Sequence, residues 1–183
     1  MTANPDSRLV VRLADHSFAD YVHGSDYGFE VQAYATPLQG QPVASWPLRA
    51  VAPYRKCYGI DPDEFQSCRD SADAAVFMAW LDGRPVGHLV VTTHWNGLAQ
   101  VDELAVDAAA RRHGVAKALL DVARFWAHKK FLPGIVLETQ NNNLPACRLY
   151  ESAGFVLGGS DCLRYKGIDP QTEEVALFWY LMF

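Results

Sequence analysis

The stretch VDELAVDAAARRHGVAKALL, Val101 to Leu120, decides the fold. Its first six residues read as a strand. Its last six open a helical pattern, because Val115, Leu119, Val122 and Trp126 fall on one helix face. Between strand and helix stand two arginines, a histidine and a single glycine. Strand, short loop, glycine-bearing turn and helix make a seat for a phosphate group. The first N–H groups of a helix have no intrahelical acceptor, and they carry partial positive charge. Gly114 lets the backbone approach a ligand closely, and Ala116 keeps the same wall low. Arg111 and Arg112 can add charge-assisted bonds. The loop lacks the Gly-Lys-Ser/Thr of a Walker motif and the repeated glycines of a dinucleotide fingerprint. The plainer alternative is a solvated surface turn.

Outward from this stretch the elements follow in order. Ala74 to Leu81 and Val86 to Thr93 are apolar runs separated by DGRP, a hairpin signal. A third strand, Gln100 to Val106, follows the turn Trp95-Asn96-Gly97, so an antiparallel meander is expected. Lys117, Asp121, Arg124 and His128 mark the polar face of the helix, which Leu132-Pro133-Gly134 ends. Ile135 to Thr139 reads as a strand. A second helix starts near Asn143, with Pro145 in its first turn, and stops before Gly154. Phe155 to Leu157 begins a strand, Gly158-Gly159 is expected to turn, and Val175 to Phe183 closes the chain. Toward the N-terminus, Arg8 to Leu13 and Phe29 to Ala35 read as strands and Gln39 to Pro47 as a loop. Asp61 to Asp73, DPDEFQSCRDSAD, reads as a solvated loop or as an acidic rim that attracts a cation. The sum is a single α/β (α+β) domain over residues 1–183 with a mixed sheet and few helices.

Bulk properties narrow the function classes. Half of the 183 residues are hydrophobic and 12% are aromatic, enough for a substantial core. The formal charge of −5 argues against nucleic acid as a partner and is compatible with a cationic substrate. Four scattered cysteines, with no CxxC pair, are expected as free thiols of a reducing cytoplasm. The histidines show no metal-ligand spacing, so no metal is expected. Met1 to Val10 has no long apolar run, and Val175 to Phe183 is too short to span a bilayer. A homodimer stays open.

The segment Arg111-Arg112-His113-Gly114-Val115-Ala116 resembles the pyrophosphate loop, Arg/Gln-x-x-Gly-x-Gly/Ala, of the GNAT superfamily of acyl-CoA-dependent N-acetyltransferases. A second block, Asn143-x-x-Ala146-x-x-x-Tyr150 followed by Gly154-Phe155, is similar to that superfamily's downstream motif. Further stretches are similar to the streptothricin (nourseothricin) acetyltransferases: PYRK at Pro53 to Lys56, Thr92-x-x-Trp95-Asn96, LETQNNNLPACRLYESAGFVLGGSD, and the late ALFWY. This likeness covers roughly Pro53 to Tyr180; residues 1–50 match poorly.

The resemblance implies a GNAT fold whose splayed strand pair binds acetyl-CoA, and transfer of an acetyl group to an amine. For the narrower group the acceptor is the β-lysine amine of a streptothricin antibiotic. Backbone groups of Leu104, Ala105 and Val106 would bond the pantetheine arm. Loop amides from Arg112 through His113, Gly114 and Val115 to Ala116 would hold the pyrophosphate, with Arg111 auxiliary and Asn143 on the cofactor arm. Tyr150 is the implied acid for the leaving thiolate; otherwise it is a core aromatic. An aliphatic amine, with a pKa near ~10, must lose a proton before it attacks. Asp102 and Glu103 are candidates for that task. On a regular strand they face opposite ways, and the family pattern favours Asp102 together with Gln100. Trp95, Asn96 and Tyr54, and more weakly Arg55, are candidate walls of the acceptor pocket. His94 and His113 read as surface groups, and Cys147 as a packed residue. An acetyltransferase of another small amine or of a protein N-terminus, and a noncatalytic acyl-CoA-binding module, are the competing readings.

Overall fold

The computed structural model describes residues 8–183. Residues 1–7, most of the N-terminal stretch read above as having no long apolar run, lie outside the described residues. Among the described residues the fold is mixed α/β, with four helices and a mixed sheet of seven strands beside a two-stranded ribbon. The chain divides into two compact units, one built from Cys57–Pro133 and the segment before Phe29, the other from Phe29–Lys56 and Gly134–Phe183.

The first unit holds the meander. Strands β1 (Leu9–Leu13), β4 (Ala74–Leu81), β5 (Arg84–Thr93) and β6 (Ala99–Val106) pair antiparallel in that order. The β4–β5 turn is made by Asp82 and Gly83, both at positive φ (51° and 78°), the pairing that a tight two-residue hairpin requires. Helix α3 (Val115–Lys129) packs on β5 and β6 through Val115, Leu119, Leu120, Ala123 and Ala127. The buried stripe is therefore centred one position beyond Val122 and Trp126, which are only half-buried.

Helix α1 (Phe18–Gly24) was not legible as an element in the sequence reading. Its signal is the i, i+3, i+4 triplet Phe18, Tyr21 and Val22, which packs on Val76, Met78 and Val90. The segment Asp61 to Asp73 is not the expected loop. It forms a 3₁₀ turn, Pro62–Phe65, and a short helix α2, Gln66–Arg69, started by the Asp61 carboxylate accepting from Asp63 N–H. Phe65 and Cys68 fold this segment onto the α1 cluster, while Asp61, Asp63, Asp70 and Asp73 stay exposed.

His88 on β5 is completely buried, and Phe18, Tyr21 and Tyr27 meet its ring edge-on at 5.3, 5.7 and 5.5 Å. Burial pushes its pKa down to about 4 from 6.5. Between those two pH values the unfolded chain binds a proton that the folded chain refuses, so stability falls as pH falls. The full loss is about 3 kcal/mol by pH 4. Chemical denaturation at pH 7 and pH 5 is expected to show most of that loss, and His88→Leu to flatten the slope. An unchanged slope in the variant would assign it to other groups.

The second unit holds β7 (Gly134–Gln140), β9 (Ala176–Met182) and β8 (Val156–Asp161), with β9 pairing antiparallel to both others. Strands β2 (Phe29–Ala35) and β3 (Leu48–Lys56) form the ribbon. Gly158-Gly159 does not turn: β8 runs through both residues, with a register irregularity between Leu157 and Gly159. Gly158 is there for space, since a Cβ would lie 2.4 Å from the Tyr180 ring. Helix α4 (Leu144–Ser152) starts as expected, with Asn143 as N-cap and Pro145 in the first turn. Gln39 to Pro47 is a loop with one 3₁₀ turn, Val43–Ser45.

Among the described residues no helix is long and apolar enough to cross a membrane. All four cysteines are free thiols.

Candidate active site

In the first unit the loop after β6 begins with a 3₁₀ turn, Ala108–Ala110, where the Asp107 carboxylate accepts from Ala109 N–H. Arg112 and Gly114 then both adopt left-handed backbone, φ 69° and 80°. Gly114 is the N-cap of α3, and no side chain caps that end; the first turn carries no acidic residue either. Three N–H groups at the helix start are thus left without an intrahelical acceptor, next to two left-handed residues. A Cβ on Gly114 would meet nothing within 4 Å, so glycine is needed for its backbone angle and not for room.

The two arginines differ. Arg112 is exposed. The Arg111 guanidinium donates to the carbonyls of Gly28 (2.8 Å), Tyr27 (3.0 Å) and Val106 (3.3 Å). Its fork is clamped on backbone. His113 also folds back on the loop: Nδ1 lies 2.9 Å from the Arg111 carbonyl and 3.3 Å from that of Ala110. Both partners accept, so Nδ1 carries the hydrogen.

The expected alternation on β6 fails where it matters. Val90 opposes Glu103 and Val91 opposes Val101, which leaves Asp102 as the extra residue of a β-bulge. Residues directly opposite one another share a sheet face. Glu103 therefore shares the face of His88 and Val90, and Gln100 that of Thr92. Asp102 is tied to the same side, accepting from Thr92 Oγ1 at 2.7 Å and from Gln100 Nε2 at 2.6 Å. Gln100, Asp102 and Glu103 thus meet on one face instead of dividing between two.

Their environments differ. Asp102 is exposed, with each oxygen holding a hydrogen bond. Glu103 is half-buried, and burial first, then the charge of Asp102, lifts its pKa to about 7. Glu103 is therefore poised to exchange a proton near neutrality, beside the hydrogen-bonded Asp102 carboxylate.

At the β5–β6 turn the Asn96 side chain accepts from Leu98 N–H at 3.1 Å, and Trp95 stands 89% exposed beside His94. Asn96 shapes the turn; Trp95 presents an apolar surface to solvent.

In the second unit the three asparagines after β7 do three tasks. Asn141 exchanges hydrogen bonds with Ala35 and with Val175, using both backbone and amide. Asn142 Nδ2 donates to Glu174 at 3.2 Å. Asn143 Oδ1 accepts from Ala146 N–H at 3.3 Å, which occupies its oxygen as a cap. Tyr150 is 6% exposed, and its ring is tilted against Phe155 and Trp179 at 6.0 and 6.2 Å. Cys147 is fully buried, and burial pushes its thiol up to about 12, so it is no nucleophile at neutral pH. Tyr54 shares a 2.7 Å hydrogen bond with Tyr34 on the ribbon.

Sequence reasoning missed Thr92 and Tyr34 as partners of site residues, since neither contact is local in the chain. It also missed Tyr27, whose carbonyl anchors Arg111; an isolated tyrosine carries no signal.

Residues 41–155 match the acetyltransferase (GNAT) family, and the chain belongs to that family. It is 38% identical over 159 residues to the streptothricin acetyltransferase of Escherichia coli, covering 87% of this chain and 79% of that protein. Among solved structures, a Bacillus anthracis (strain Ames) protein assigned as a streptothricin acetyltransferase, in complex with acetyl coenzyme A, aligns with a TM-score of 0.84. Its identity is 34%, over 96% of this chain and all of that one. A nourseothricin acetyltransferase aligns with a TM-score of 0.75 at 27% identity, over 95% and 98% of the two chains.

Proposed function

We propose that residues 1–183 work as one enzyme domain that transfers the acetyl group of acetyl-CoA to an amine of a streptothricin-type antibiotic, by direct attack in a ternary complex. The observation that carries the acetyl-CoA half is the loop at Arg112 to Ala116, with two left-handed residues leading into an uncapped helix start. The relatives support the acceptor half. Loop amides hold the pyrophosphate. Backbone groups of Leu104, Ala105 and Val106 and the Asn143 side chain hold the pantetheine arm, and the splayed strand pair of the family makes room for it.

Asp102, already hydrogen-bonded to Thr92 and Gln100, holds the acceptor's ammonium group. Glu103 removes its proton. The freed nitrogen attacks the thioester carbonyl, the carbon–sulfur bond breaks, Tyr150 gives its hydroxyl proton to the departing thiolate, and the second proton lost by the acylated nitrogen restores the Tyr150 hydroxyl. Gln100, Trp95, Asn96 and Tyr54 line the acceptor. The acidic balance of the chain and a cytoplasmic location suit a cationic small molecule met inside the cell.

A thiol-release assay with acetyl-CoA and a panel of amines including streptothricin, polyamines and peptides tests this. Preference for streptothricin is the expected result; a preference for peptides would replace the acceptor and keep the donor. With streptothricin, changing Asp61, Asp63 and Glu64 to their amides is expected to raise KM by a few-fold, about 2 to 5, at low salt, and less at high salt. No change at low salt would remove that segment from substrate attraction.

A further inference from the structure

Helix α3 buries one stripe against β5 and β6, and its opposite stripe faces away from the sheet. Lys117, Asp121, Phe125 and Lys129 follow one another at steps of four along that outer face, and all four are exposed. Phe125 is 62% exposed, and the Lys129 ammonium rests over its ring at 5.3 Å. A large aromatic in the middle of a charged outer stripe runs against the amphipathic pattern of the helix.

The helix ends on a second exposed ring. Phe131 N–H donates to the His128 carbonyl and Leu132 N–H to that of Ala127, both at 3.0 Å. These bonds make a Schellman cap and put Phe131 at its left-handed position, φ 57°. Glycine is usual there; a phenylalanine is strained, and at 95% exposure its ring gains no packing from its own chain. Beside Phe125 a groove of about 570 Å³ runs between α3, α2 and the paired ends of β1 and β4. Leu13, Val76 and Trp126 give it apolar walls, while Arg69, Asp70 and Lys129 give it both signs of charge. Single exposed apolar residues need no explanation, but Phe125 and the 64% exposed Leu13 share this one groove.

The charges on this face say what fits it. In a two-fold pair of antiparallel α3 helices crossing at Phe125, each residue meets the one equally far beyond the crossing. Asp121 lies four positions before Phe125 and Lys129 four after it. Each Asp121 therefore meets Lys129 of the partner subunit, and the two Phe125 rings meet on the axis. The stripe is its own complement. An anionic surface would be repelled by Asp70 and Asp121, and a cationic one by Arg69 and Lys129, so the mixed signs favour a second copy.

We infer that the outer face of α3 joins two copies of this chain about a two-fold axis at Phe125. Phe125, Phe131 and the groove supply the apolar contact, and Asp121 with Lys129 sets the register. The 15-residue helix is about 22 Å long, too little alone for the roughly 800 Å² per partner of a standard interface, so the groove is covered too. The dimer is expected to be weak, with a Kd of about 1–100 µM. Phe125 lies about 16 Å along α3 from Gly114, so the helix start stays outside the contact. None of this depends on which amine is the acceptor.

Sedimentation equilibrium of the full-length protein, from about 1 to 200 µM at low salt, tests the inference. The parent is expected to pass from monomer to dimer across that range. Phe125→Asp sets two carboxylates against each other on the axis and should weaken the dimer by about 30-fold or more. Its affinity for acetyl-CoA by calorimetry should stay within about twofold, which checks its fold. Asp121→Lys and Lys129→Asp each place like charges opposite one another and should each weaken the dimer by about 5-fold. The two exchanges combined should restore it to within about twofold of the parent. A parent that stays monomeric, a dimer indifferent to Phe125→Asp, or a double exchange no better than the single ones would each overturn the inference. So would a monomeric parent that binds vesicles of anionic phospholipid, which would make this face a membrane contact. If Phe125→Asp fails to fold by circular dichroism, the charge exchanges decide alone.

Discussion

Gly114→Val is expected to weaken acetyl-CoA binding by about 10- to 100-fold, while Arg112→Ala changes it by no more than about 3-fold. The order follows from backbone angles. Gly114 sits at φ 80° as the N-cap of α3, where a β-branched residue is strongly disfavoured. Forcing valine there costs about 1–3 kcal/mol, or turns the peptide and re-aims the N–H groups at the helix start. Arg112 is also left-handed, at φ 69°, but it already carries a Cβ, so alanine adds no strain. Its side chain is exposed, and a single screened charge contributes little. Isothermal titration with acetyl-CoA on both variants decides the matter. The reverse order would mean that charge, not backbone, makes the seat. Gly114→Ala should fall between the two, because space at the Cβ position is open.

The second large effect is on turnover. Tyr150→Phe is expected to lower kcat by about 100-fold or more, with acetyl-CoA affinity within about twofold. The substitution keeps the ring that packs on Phe155 and Trp179 and removes only the hydroxyl. Thermal unfolding should therefore shift little. Single-turnover measurement of thiol release separates the chemical step from product release. A kcat equal to that of the parent would make Tyr150 a core aromatic and leave thiolate protonation to another group. The pH dependence adds a second reading: with Glu103 as base, acceptor kcat/KM falls as pH falls through about 7, because the reactive form is the carboxylate. Tyr150→Phe should keep that limb.

What could be read from the residues was local. The hairpin at Asp82-Gly83, the N-cap at Asn143 and the glycine before α3 each depend on a few neighbours in the chain, and each falls where the spacing predicts. The three residues of the carboxylate cluster were also visible in part, since Gln100, Asp102 and Glu103 lie within four positions. Their arrangement was not. The alternation of apolar and polar residues breaks at Asp102-Glu103, but two adjacent carboxylates read equally well as residues on opposite faces of a regular strand. Arg111 reads as a loop cation, and its true acceptors lie 83 and 84 positions away. Gly158 reads as a turn until the Tyr180 ring above it is known. Helix α1 was lost for a different reason: seven residues give one apolar triplet, too little periodicity to stand out.

The bulge also sets what kinds of change this strand can absorb. Side chains at 100, 102 and 103 can be exchanged one at a time without moving their neighbours. Length is another matter. Deleting Asp102 would let the ladder with β5 close perfectly, and the strand would look more regular for it. Glu103 and Gln100 would keep their faces, but the anion between them, bonded to Thr92, would be gone. Inserting one residue would instead reverse every side chain on one flank. With this strand proposed as the acceptor side, the site is open to drift by substitution and closed to drift by insertion, so variants that take up new amines should differ here in residue type and not in residue count.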